Sequence, residues 1–185
     1  MTKVFIDGSQ GTTGLKIFDR LKKRNDIELI TLPNELRKDI NARKDALCSA
    51  DIAFLCLPDA ASVEAAELVA DSDTVIIDTS TAHRTSDGWV YGFPELFDDG
   101  FEKIASAKRI ASPGCYASGF IALVKPLIDN NIISPDQNFF CHAMSGYSGA
   151  GKKGIALYES DEKPPELCAP REYALTQEHK HVKEM

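Results

Sequence analysis

Cys115 stands in the run Ser112-Pro113-Gly114-Cys115-Tyr116-Ala117, with proline and glycine before it and a helical pattern after it. A helix start favours a thiolate, because the unpaired N–H groups there carry partial positive charge, and Gly114 leaves room for a substrate. The chemistry this points to is nucleophilic attack on an acyl carbon, with a thioester or thiohemiacetal on the sulfur. The other four cysteines lack that setting. Cys56 and Cys141 fall in apolar runs that read as strands, where cysteine behaves as a small buried hydrophobe, and Cys48 and Cys168 have no catalytic context.

A second run with chemical meaning is Gly8-Ser9-Gln10-Gly11-Thr12-Thr13-Gly14, a G-x-x-G-x-x-G spacing between an apolar segment and an amphipathic one. Glycine lets the chain turn tightly and bring bare backbone to a pyrophosphate, and the following helix N-terminus supplies N–H groups for the phosphates. Gly8, Ser9, Gly11, Thr12, Thr13 and Gly14 are therefore candidate cofactor residues, Thr12 and Thr13 through their hydroxyls. The alternative is a tight strand-to-helix turn without a ligand. An NAD site usually has an acidic residue at the end of the second strand; here that end reads Leu32-Pro33-Asn34, with Arg37 and Lys38 close behind. This favours NADP, with Arg37 near its extra phosphate; the alternative is that Arg37 and Lys38 form a solvated helix face.

These residues need a frame to hold them. Residues 3–7, 27–32, 52–57, 74–78 and 109–112 read as short apolar strands. Between them lie helical patterns: Leu15, Ile17, Phe18 and Leu21 on one stripe, then residues 60–70 and 101–108. Strand–helix alternation predicts an α/β fold, a doubly wound parallel-sheet (Rossmann-like) dinucleotide domain over residues 1–114. Cys115 then follows the last strand, at the carboxyl edge where such sheets bind ligands. Residues 115–185 read as a partial α+β catalytic domain: a helix over 116–129, a strand over 138–144, glycine-rich stretches at 145–151 and 154, and a proline-rich segment at 163–170.

Composition narrows the partners. The chain has 185 residues, 43% hydrophobic and 26% charged, with a formal net charge of −7. That balance argues against nucleic acid, the apolar runs are far too short for a membrane span, and the expected partner is a small molecule. Five cysteines without a C-x-x-C pair argue against a disulfide scaffold or a structural metal, and for a reducing cytoplasm.

Several motifs taken together resemble one family. They are the glycine turn, Asp78-Thr79-Ser80-Thr81-Ala82-His83-Arg84, Tyr91-Gly92-Phe93-Pro94-Glu95-Leu96, the Cys115 run, and Ser145-Gly146-Tyr147-Ser148-Gly149-Ala150-Gly151-Lys152. In this order they resemble the N-acetyl-gamma-glutamyl-phosphate reductases of arginine biosynthesis, in the shorter of that family's two sequence types. The resemblance implies NADP-dependent reduction of N-acetylglutamyl 5-phosphate to the 5-semialdehyde and phosphate, with Cys115 as the nucleophile. It implies an acid/base histidine within His179-Lys180-His181-Val182-Lys183-Glu184, either His179 or His181; the family usually has proline where this chain has Lys183. On a strand the two histidines would share one face. It further implies Ser80 and Gly149 at the cofactor, and Arg84, Ser145 and Ser148 at the substrate. Arg84 alone could instead be a surface arginine, and residues 145–151 a plain hairpin. His83 reads as packed or solvated rather than catalytic, Trp89 and Tyr91 as packing residues of the Gly92-Phe93-Pro94 turn, and the acidic cluster from Glu159 to Glu162 as a solvated face.

Members of that family are longer, so the resemblance implies a C-terminally incomplete chain and, with the full domain, a homo-oligomer. Two other functions compete: a non-catalytic NADP-binding fragment, and an aspartate-semialdehyde dehydrogenase, which shares fold and thiol mechanism.

Overall fold

Apolar runs such as residues 4–6 and Ile52–Leu55 suit strands covered on both faces, and the chain supplies six strands to one sheet. The computed structural model describes all 185 residues, and they divide into two units, Met1–Gly114 and Cys115–Met185. The first unit holds β1 (Thr2–Asp7), β2 (Ile27–Ile30), β3 (Ile52–Leu55), β4 (Val75–Asp78), β5 (Val90–Tyr91) and β6 (Arg109–Ala111). All pairings are parallel, in the order β2-β1-β3-β4-β6-β5. The chain thus leaves β1 to one side for β2 and returns to the other side for β3, which is the doubly wound arrangement expected from the alternation of elements.

Helices α1 (Thr12–Leu21), α2 (Ile40–Ser49), α3 (Asp59–Leu68) and α4 (Gly100–Ser106) make the crossovers. The core gathers Phe5, Ala46, Leu47, Ala53, Leu55, Ala65, Val69 and Ile76. Full burial of a leucine or isoleucine such as Leu47, Leu55 or Ile76 contributes about 1.5–3 kcal/mol. The sequence pattern did not announce α2: half of its residues are polar, and only Arg43, Ala46 and Leu47 turn inward. Asp39 starts it, accepting from the Ala42 N–H at 2.8 Å. The two-residue β5 was also not foreseen, being too short to show a period.

The second unit consists of α5 (Cys115–Asp129), α6 (Gly151–Tyr158), short 3-10 turns and irregular segments. The strand expected over residues 138–144 is absent: Phe140 and Met144 are exposed, and so is Cys141. An extended apolar segment becomes a strand only where a neighbour completes its hydrogen bonds, and all strands of the chain lie in the first unit. Residues 145–151 form no hairpin either; a 3-10 turn over Tyr147–Ala150 runs directly into α6. Nor is the His179 region a strand, since His179 caps a 3-10 turn over Lys180–Glu184.

Candidate active site

The glycine run occupies the turn between β1 and α1. Gly8 sits at φ +84°, and a Cβ there would lie 2.3 Å from the Cys56 carbonyl oxygen, so no side chain fits. The Gly11 N–H closes the turn onto the Gly8 carbonyl at 2.9 Å, and the first helical bond runs from Leu15 to Gly11. The N–H groups of Thr12, Thr13 and Gly14 precede that bond, and the helix start carries neither a side-chain cap nor an acidic residue. These donors and the dipole behind them suit a pyrophosphate, so the residues present fit a dinucleotide. Ser9 is half-buried in the same turn.

Beneath the turn, Asp7 ends β1 in a buried ion pair. Arg43 of α2 donates to it through Nε at 3.0 Å and also reaches Glu64 of α3 at 3.3 Å. Burial raises the Asp7 pKa, and the Arg43 hydrogen bond and charge pull it back. Beyond β2, Arg37 is half-buried; its Nε donates to the Leu32 carbonyl at 3.4 Å.

The segment after β4 is stitched to the sheet's carboxyl edge. Asp78, fully buried, accepts from the Ser80 N–H at 2.9 Å, the Ser80 hydroxyl at 2.7 Å and His83, whose Nδ1 lies 2.6 Å away. The His83 ring stacks on Trp89, centroids 3.9 Å apart. Of the two readings left open for His83, packed or solvated, the structure shows the packed one, and Trp89 packs on this ring. Thr81 donates to Asp59 at the start of α3 through its N–H and hydroxyl, at 2.9 and 2.6 Å. Arg84 Nε donates to the Ser112 carbonyl at 2.9 Å, which ties this loop to the segment after β6. The Ser80 N–H and hydroxyl are thus both engaged by Asp78. Nearby, burial pushes the Cys56 thiol up to about 11, with the charges of Asp7 and Asp78 adding to it and a Thr79 hydrogen bond opposing. Cys56 is a structural thiol.

In the second unit Cys115 is exposed and is the first residue of α5. Around it the unit gathers an aromatic group that spacing did not reveal. Tyr116 meets the Tyr173 hydroxyl, and its ring lies 5.4 Å from that of His179 and 5.6 Å from that of His181. The two histidine rings cross edge-on at 4.6 Å. Burial, the Tyr116 contact and the nearby Cys115 charge push the Tyr173 phenol up to about 12. His179 Nδ1 accepts from the His181 backbone N–H at 3.2 Å, which leaves Nε2 to carry the proton of the neutral ring. His179 is half-buried and His181 is buried. Ser145 hydrogen-bonds the Gly146 carbonyl at 3.2 Å and lies 2.8 Å from where a Cβ on Gly149 would be; Ser148 is exposed. Tyr173 is the residue that sequence reasoning missed; its only signal was an aromatic six positions before His179.

Comparison with known proteins gives the lineage. Residues 3–104 match the NAD-binding domain model of the semialdehyde dehydrogenases, and residues 115–185 match their dimerisation domain model. A protein of Burkholderia orbicola named N-acetyl-gamma-glutamyl-phosphate reductase is 48% identical over 182 residues, 98% of this chain and 58% of its own length. Another of that name from Sinorhizobium medicae is 49% identical over 185 residues, 99% of this chain and 60% of its own. The chain therefore spans about three-fifths of the length of these relatives. Among solved structures, aspartate semialdehyde dehydrogenase II of Vibrio cholerae superposes with a TM-score of 0.60 at 18% identity, over 85% of this chain and 50% of that one. That likeness speaks for the fold. No helix is long and apolar enough to cross a membrane.

Proposed function

The chain belongs to the semialdehyde dehydrogenase family, and on that premise we propose that it is the nucleotide domain and the first part of the catalytic, dimerising domain of an N-acetyl-gamma-glutamyl-phosphate reductase. The reaction is NADP-dependent reduction of N-acetylglutamyl 5-phosphate to the 5-semialdehyde and phosphate. The observation that carries this reading is Cys115, an exposed thiol opening α5 in a unit that also holds Tyr173 and His179. The share of identity with relatives of that name supports this substrate over aspartyl phosphate. Five free cysteines fit a reducing cytoplasm, and the dimerisation model fits a homo-oligomer.

The steps follow from the groups present. The Cys115 thiolate attacks the acyl carbon, the bond from that carbon to the phosphate oxygen breaks, and the phosphate leaves with a proton from solvent. Residues 8–14, with Arg37 and Ser80, would hold NADPH in the first unit, and that cofactor would supply the hydride for reduction of the thioester; Gly149 of the second unit is a further cofactor candidate. His179 gives its Nε2 proton to the thiohemiacetal oxyanion and takes it back as the C–S bond breaks, which returns the thiolate and frees the aldehyde. His181, buried behind it, holds the ring in place. Arg84 in the first unit is a candidate for the substrate's anionic groups, and Ser145 and Ser148 are candidates in the second.

The test runs the reaction backwards: N-acetylglutamate semialdehyde, phosphate and NADP⁺ with this chain, followed at the NADPH absorbance. Phosphate-dependent turnover that vanishes in Cys115→Ser is the expected result. Turnover that survives Cys115→Ser, or a preference for aspartate semialdehyde, refutes the mechanism or the substrate. Tight NADP⁺ binding without turnover makes this chain a cofactor-binding piece without chemistry of its own.

A further inference from the structure

Arg37 is half-buried, and none of its partners is a carboxylate. Its Nε donates to the Leu32 carbonyl at 3.4 Å. Its two terminal nitrogens donate to the side-chain oxygen of Gln10 at 3.1 and 3.3 Å, in the amide orientation that the hydrogen bonds themselves assign. Three of the five guanidinium N–H bonds are thus directed at neutral oxygens, and one remains on each terminal nitrogen. Gln10 lies inside the glycine turn, between Ser9 and Gly11, whereas Arg37 lies beyond β2. Strands β1 and β2 are neighbours, so this contact spans the two strand ends between which a Rossmann sheet holds an adenosine ribose. A rigid fork with an N–H left on both terminal nitrogens suits a phosphate monoester.

We propose that Gln10 is a positioning residue for cofactor choice: its amide oxygen holds Arg37 over the turn, so that the chain prefers an adenine dinucleotide carrying a 2′-phosphate. The inference rests on the NADP reading above and adds to it the residue that aims the arginine. The amide matters because it orients the guanidinium without neutralising it. A carboxylate at the same position would hold Arg37 as well, but would cancel its charge and repel the phosphate.

The experiment measures dissociation constants of NADP⁺ and NAD⁺ by titration calorimetry, with melting temperatures as a check on folding. The chain itself should favour NADP⁺ by about tenfold or more, and Gln10→Leu should weaken NADP⁺ by about five- to tenfold while NAD⁺ stays within about twofold. Gln10→Glu should lose more NADP⁺ affinity than Gln10→Leu. Arg37→Ala should bring the ratio near one, and Gln10→Leu added to it should change nothing further. Equal weakening of both cofactors by Gln10→Leu, or an unchanged ratio, overturns the role of Gln10 while the NADP reading stands. No preference in the unaltered chain overturns the NADP reading and this inference with it.

Discussion

Arg43→Met removes a charge from beneath the glycine turn while keeping most of the side-chain volume. Arg43 and Asp7 are both buried, with side chains 10% and 6% exposed, and their nitrogen and oxygen lie 3.0 Å apart. The second partner, Glu64, is 49% exposed, so that contact contributes only about 0–1 kcal/mol. Loss of the guanidinium strands a buried carboxylate, which costs about 3–5 kcal/mol, or a fall in melting temperature on the order of 10–20 °C for a unit of this size. The pH dependence has a definite sign. Burial already raises the Asp7 pKa above its ordinary value despite Arg43, so the folded state holds this proton more tightly than the unfolded state does. Such a group disfavours folding increasingly as pH rises from the ordinary carboxylate value through the folded one. Without Arg43 the folded value moves further up. The loss of stability is therefore largest near neutral and alkaline pH, and it shrinks as the pH is lowered and Asp7 takes its proton. Urea unfolding followed by circular dichroism at several pH values measures this. Asp7→Asn combined with Arg43→Met should recover most of the loss, because no charge is then stranded. A loss below about 1 kcal/mol, a loss independent of pH, or a double variant no more stable than the single one would refute the reasoning.

The glycines of the turn should separate by role. In Gly14→Ala the new Cβ lies 2.4 Å from the Gly8 oxygen, so about 1–3 kcal/mol of stability should go; in Gly11→Ala the nearest atom is 3.2 Å away, so the chain should stay folded but lose dinucleotide affinity in an NADPH titration. Asp78→Ala strips three hydrogen-bonded donors of their shared acceptor, at about 1–3 kcal/mol for each one left buried. Hydrogen exchange should show residues 79–84 losing protection, and unchanged protection would count against Asp78 as their anchor. His179→Asn should lower turnover by about 10²–10⁴ with NADP⁺ affinity intact, whereas His181→Asn should act mainly on the stability of the second unit.

The strands of the first unit were legible because burial on both faces leaves no polar alternation: Val4, Phe5 and Ile6, or Ile52, Ala53, Phe54 and Leu55, read as apolar blocks. The glycine turn was legible because its backbone demands are chemical as well as steric. Helix α2 was hidden by having only three inward residues, although Asp39 was a readable cap. Residues 138–144 misled because apolar content predicts burial, while strand formation needs a partner strand that the second unit lacks. His179 was legible as a candidate, but its grouping with Tyr116 and Tyr173 was not, since that depends on tertiary contact between residues up to 63 positions apart in numbering.

Register explains why the candidate residues of the first unit emerge side by side. Asp7 pairs with Leu55, Leu55 with Asp78, and Asp78 with Ala111, so four strands end in one row across the sheet. The residue after each of β3, β4 and β6 hangs from that row: the N–H of Cys56 donates to the Asp7 carbonyl at 2.8 Å, Thr79 to Leu55 at 3.0 Å, and Ser112 to Asp78 at 2.7 Å. Two acids sit in the row, and each is satisfied from within, Asp7 by Arg43 and Asp78 by Ser80 and His83. A buried carboxylate so satisfied acts as a fixed acceptor that holds the segment leaving its strand. For Asp78 that segment includes Arg84, whose guanidinium in turn grips the Ser112 carbonyl, two residues before the unit ends at Gly114. The glycine turn and the Ser80–Arg84 segment are thereby ordered before any ligand arrives, and the entropy of fixing them is met by folding rather than by binding.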